Sequence, residues 1–106
     1  FIGAAGNEPV TTHFYPAAYP EVMAVTAVDR GEIASYANRG SFVSLGAPGT
    51  SVIYFNDQPY YVTGTSAAAA FTSGIAAGYR DATGNSVSQM QAFLRSNFGV
   101  KVVPAQ

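Results

Sequence analysis

The sequence predicts an α/β fold: part of a parallel sheet with flanking helices. Three observations carry this reading. Val22-Met23-Ala24-Val25-Thr26-Ala27-Val28 is an unbroken apolar and β-branched run, the pattern of a strand covered on both faces. Shorter strand-like runs lie on either side of it. Two segments of helical character follow, and 48% hydrophobic against 10% charged residues supplies enough apolar material for a packed core rather than a disordered chain.

Phe1 to Ala5 is a short apolar run ended by Gly6-Asn7, as expected of a buried strand delivering a loop. Residues 8 to 20 hold Pro9, Pro16 and Pro20 and read as irregular. The central run then ends at Asp29-Arg30-Gly31. Phe42-Val43-Ser44-Leu45 reads as a shorter strand stopped by Gly46-Ala47-Pro48-Gly49. Ser51 to Phe55 and Tyr60 to Thr63 flank Asn56-Asp57-Gln58-Pro59, which predicts a β-hairpin. Residues 66 to about 80 are alanine-rich and free of proline, so a helix is expected, with Gly74 and Gly78 allowing close approach to a neighbour. Ser86-Val87-Ser88-Gln89 fits a capping box, in which a serine hydroxyl and a glutamine three residues on pair with orphan amides. Val87, Met90, Phe93, Leu94 and Phe98 then form one apolar helical face. Residues 102–106 form a tail compatible with strand, linker or disorder.

Several function classes drop out. Net charge is −1 and the five Lys and Arg are scattered, so no surface tracks a nucleic-acid backbone or an anionic membrane. No apolar run reaches the roughly 20 residues of a membrane span, and no signal peptide is visible. The chain has no cysteine and one histidine, which leaves neither thiolate ligands nor a multi-histidine metal centre. The nucleotide-binding glycine patterns Gly-x-x-x-x-Gly-Lys and Gly-x-Gly-x-x-Gly are absent. Phe1 opens directly into an apolar stretch, which reads as a piece excised or processed from a longer domain.

Four segments carry chemistry together: Ala4-Ala5-Gly6-Asn7, Tyr15-Pro16-Ala17-Ala18-Tyr19-Pro20, Gly46-Ala47-Pro48-Gly49 and Gly64-Thr65-Ser66-Ala67-Ala68. Ser66 stands where a glycine-marked turn enters a helix. Taken alone it fits an N-cap, its hydroxyl accepting a first-turn amide. The same place offers free N–H groups and the positive end of the helix dipole, which stabilise charge developing on a tetrahedral intermediate. Asn7 likewise fits a simple turn, or a side-chain amide that donates to an oxyanion.

In this order and spacing the four segments resemble the C-terminal half of the subtilisin-like (subtilase) serine protease family over roughly residues 1 to 100. The resemblance implies a subtilisin-like parallel-sheet fold with a hairpin before the nucleophile helix, residues 1–101 forming the C-terminal portion of the peptidase domain. It implies a serine endopeptidase that cleaves polypeptides through an acyl-enzyme on Ser66, with Asn7 in the oxyanion hole. Ala4, Ala5 and Gly6 would form one wall of the specificity pocket, Phe14 would sit at its base, and Thr65 would adjoin the substrate. No cofactor is implied. Extracellular or periplasmic location is what the family suggests.

The triad is incomplete within these residues. The family's catalytic histidine opens a different helix in a His-Gly-Thr motif, whereas His13 lies in a proline-bounded loop and is expected at the surface. Asp29, Asp57 and Asp81 do not match the aspartate motif either. The missing N-terminal portion of the same domain is therefore the expected partner, and the fragment alone is expected to be inactive and to self-associate. Departures from the family pattern are Ala67 and Ala70 in place of Met and Pro, Phe14 in place of a small residue, and Ser44 where relatives carry a calcium-ligating aspartate. No metal is expected at Ala17, Tyr19 and Ser44. The rival reading is an inactive subtilase-like module that serves binding or structure.

Overall fold

In a computed structural model, which describes residues 1–100, the elements run β1 (Ile2–Ala4), β2 (Met23–Asp29), β3 (Glu32–Ile33), β4 (Val43–Pro48), β5 (Thr50–Phe55), β6 (Gln58–Thr63), α1 (Thr65–Thr83) and α2 (Val87–Phe98). The tail at 102–106 lies outside the described residues.

β2 is the central strand because it can be buried on both faces, and Met23 to Ala27 are all buried. It pairs in parallel with β1 on one edge (Ile2↔Met23 to Ala4↔Val25) and with β4 on the other (Val25↔Leu45 to Val28↔Pro48). Ser44 is an extra residue in that second ladder, since Ala24 faces Val43 and Val25 faces Leu45. β3, not foreseen from the sequence, folds back antiparallel through the two-residue turn Arg30-Gly31, both at positive φ.

Alternate β2 residues Met23, Val25 and Ala27 meet Leu45 and Ala47 of β4, Ala68 and Ala76 of α1, and Leu94 of α2 in one core cluster. α1 buries Thr65, Ala68, Thr72 and Ala76, spaced by three and four, and these small side chains let the helix lie close on β1, β2 and β4. The Ser86 capping box forms as expected: Ser86 Oγ accepts from Gln89 N at 3.2 Å, and Gln89 Oε1 accepts from Ser86 N at 2.8 Å. Tyr79 of α1 stacks on Phe93 of α2 with ring centroids 4.2 Å apart.

Five local expectations need correction. β4 runs on through Gly46 and Ala47 to Pro48, because pairing with β2 overrides their turn-like composition. The hairpin turn is Asn56-Asp57 alone, at φ 49° and 63°, and Pro59 sits in β6 opposite Tyr54. α1 continues to Thr83, where left-handed Gly84 stops it by donating its N–H to Arg80 O at 2.8 Å. Gly74 and Gly78 lie off the buried stripe of α1 and face open space among the described residues. Val87 is exposed at the first turn of α2, so the apolar face begins at Met90.

Candidate active site

The site is built where the carboxyl ends of parallel strands meet the start of a helix, the usual position of a crevice in an open α/β sheet. β1 ends at Ala4, and Ala5 continues its ladder by donating to Val25 O at 2.9 Å. Gly6 then turns the chain at φ 109°. At the end of β4, Gly49 O accepts from Gly64 N at 2.9 Å, so the strand terminus holds the residue that opens α1.

Gly64, not Ser66, is the N-cap of α1, and no side chain of the helix caps it. The first intrahelical bond is Ala68 N to Gly64 O. Of the orphan amides ahead of it, Thr65 N donates to Asn7 Oδ1 at 2.9 Å, so the loop after β1 supplies the cap from outside. The amide orientation follows from that bond: only the oxygen can accept from Thr65 N–H, which leaves Nδ2 on the other side. Among the described residues Nδ2 has no acceptor. Ser66 is the second helical residue, its side chain exposed, its N–H unclaimed by helix geometry. Thr65 is buried and its hydroxyl accepts from Gly6 N at 3.0 Å, a second tie between loop and helix. Gly64 lies so close that a Cβ there would sit 3.3 Å from Asn7 Nδ2.

A cleft of about 440 Å³ opens beside this turn, lined by Gly3, Ala4, Gly6, Asn7, Phe14, Thr65 and Ser66 among others. It brings together six of the seven residues expected at the site. Ala5 is the exception. It is fully buried just past the end of β1 and does not line the cleft. Phe14 stands against Gly6, with Cδ1 3.1 Å from where a Gly6 Cβ would be. His13 is outside the cleft lining, exposed, with its ring 5.4 Å from that of Phe42.

Two residues near the site lie outside every motif of the sequence. Asn38, 1% exposed, bonds the loop on both sides of Asn7. Tyr36 reaches towards Gly49 and Gly64, and burial first, then the nearby Asp29 charge, raises its phenol above the usual tyrosine value. Only their long-range contacts reveal them. Among the described residues no three His, Cys, Asp or Glu side chains converge on a metal-sized site. Ser44 Oγ donates to Ala24 O at 3.5 Å.

The family model of the subtilases matches residues 1–102. The chain is 44% identical over 79 residues to halolysin from Haloferax mediterranei, covering 71% of this chain and 15% of that protein. It is 40% identical over 78 residues to the halolysin-like extracellular serine protease Nep of Natrialba magadii, covering 71% and 14%. The chain thus spans about a seventh of these relatives' lengths. Among solved structures, the prenylagaramide maturation protease PagA superposes with a TM-score of 0.70 at 30% identity, over 80% of this chain and 34% of that one. With a match along nearly its whole length, the chain belongs to the subtilase family.

Proposed function

We propose that this chain is the C-terminal part of a serine endopeptidase domain, with Ser66 as nucleophile and Asn7 as an oxyanion donor. One observation carries the reading: Ser66 is exposed on the first turn of α1 and free of any capping role, since Gly64 holds the N-cap position and Asn7 binds Thr65 N–H from outside the helix. Ser66 Oγ attacks the scissile carbonyl of a polypeptide. A histidine takes the hydroxyl proton and an aspartate orients that histidine. The chain's one histidine is not among the residues lining the cleft, so the proposal takes base and orienter from the upstream portion of the same domain. Negative charge on the tetrahedral intermediate meets the Ser66 N–H, Asn7 Nδ2 and the positive end of α1. The protonated histidine then gives its proton to the leaving amine, and water hydrolyses the acyl-enzyme. Ala4 and Gly6 form one wall of the substrate cleft, Phe14 narrows its base, and Thr65 holds the turn. Extracellular secretion is the location proposed, in line with the name of the Natrialba relative.

The test is labelling of the full-length protein with a fluorophosphonate. Label on Ser66, abolished by Ser66→Ala, is expected. Labelling that persists in that variant sinks the assignment, and no labelling of the intact protein favours the inactive module.

A further inference from the structure

We propose that Asn38 is a positioning residue of the oxyanion site, holding Asn7 in place through the loop on both sides of it. The proposal rests on the reading of Ser66 as nucleophile and Asn7 as oxyanion donor. Asn38 bonds four loop residues at once. Its Nδ2 donates to Ala5 O at 2.7 Å, and its Oδ1 accepts from Glu8 N at 2.9 Å and Val10 N at 3.3 Å. Its own N–H donates to Gly6 O at 2.8 Å. Two of these partners precede Asn7 and two follow it, so Asn7 is clamped from either side.

The clamp is anchored to the central strand of the sheet. Thr26 Oγ1, fully buried in β2, donates to Asn38 O at 2.5 Å. A continuous path therefore runs from β2 through Asn38 and the loop to Asn7, and from Asn7 Oδ1 to Thr65 N and the Ser66 turn. The residue type is specific to the task. The position needs one donor and an acceptor with two lone pairs on a short stem, a set that asparagine provides. Aspartate would put an oxygen against Ala5 O and bury a charge. The loop also lies hard against the clamp, since a Cβ on Gly6 would collide with Asn38 Nδ2. An oxyanion donor acts only if it is already aimed where charge develops, so looseness here acts on the transition state rather than on substrate binding.

The experiment uses full-length protein, a chromogenic peptide, and active-site titration so that kcat is per labelled site. Ser66→Ala is run first, because turnover surviving it overturns the nucleophile assignment and this proposal with it. Given Ser66-dependent turnover, Asn38→Ala is expected to lower kcat about tenfold to a hundredfold, with KM within about twofold. In an Asn7→Leu background the same change is expected to lower kcat by less than about twofold, since it acts through Asn7. Thr26→Val keeps the side-chain volume but removes the anchor to Asn38 O, and is expected to give a smaller loss of the same kind. It serves also if Asn38→Ala does not fold. Unchanged kcat per titrated site, or an equal loss with and without Asn7, overturns the positioning role. Failure of both variants to fold makes Asn38 a residue of the core and overturns it too.

Discussion

Asn7 holds Thr65 N–H with its carbonyl oxygen while its amide nitrogen is left beside the first turn of α1, and these two tasks can be separated by mutation. Asn7→Leu removes both. Its kcat is expected to fall by roughly 10²–10³ with little change in KM, the size of loss that removal of an oxyanion asparagine causes in subtilisin, the family's namesake. Asn7→Asp keeps an acceptor for Thr65 N–H, at a helix start that favours negative charge, but loses the donor. It is expected to lose turnover while the unfolding midpoint stays near that of the parent. Unchanged kcat in either variant would reduce Asn7 to a turn residue. Phe14 leads to a prediction about specificity. Its ring lines the cleft beside Gly6 and fills volume that a large P1 side chain would need. Under the proposed activity the full-length protein is expected to favour small P1 residues, and Phe14→Gly to shift a peptide-library profile towards aromatic ones. A profile that does not move places Phe14 outside the P1 pocket.

At the scale of elements, local signals are readable in the sequence and tertiary ones are not. The capping box of α2 is legible because Ser86 and Gln89 recognise each other across three residues. Ser86→Ala should therefore cost about 1 kcal/mol, seen as a lower unfolding midpoint of the full-length protein with kcat unchanged. An unaltered midpoint would mean that the packing of Phe93 and Leu94 holds the helix unaided. β2 is legible too, since few patterns but burial on both faces explain seven apolar or β-branched residues in a row. The end of β4 is hidden, because Gly46-Ala47-Pro48 has the composition of a turn and only the neighbouring β2 makes it strand. Gly74 and Gly78 have the size for close packing, yet the buried stripe Thr65, Ala68, Thr72, Ala76 turns them away from the sheet. The site divides in the same way. Ser66 and Asn7 stand in short motifs, whereas Asn38 acts through contacts 28 to 33 residues distant, which no local pattern encodes.

For the molecule as a whole, the expectation is that these 106 residues alone do not hydrolyse peptides. Without a positioned base the Ser66 hydroxyl stays protonated at neutral pH and is a weak nucleophile. The proposed oxyanion donors would stabilise charge that forms only after attack, so they do not compensate. The surface is a second obstacle. The β5–β6 ribbon exposes apolar side chains on both faces, Val52, Tyr54 and Tyr61 on one and Ile53, Phe55 and Tyr60 on the other, surface that another chain could cover. Among the described residues β1 pairs only with β2, so its outer edge offers free backbone groups to another chain. The purified chain is thus expected to aggregate or pair with a second copy, as sedimentation would detect, and addition of the upstream portion in trans to restore solubility and turnover together. Activity is checked with a chromogenic peptide against a Ser66→Ala control, which removes contaminating protease from the comparison. Turnover by the isolated chain that depends on Ser66 would require a base within it, and His13, despite its place beside Phe42 and outside the cleft, would be the first residue to replace.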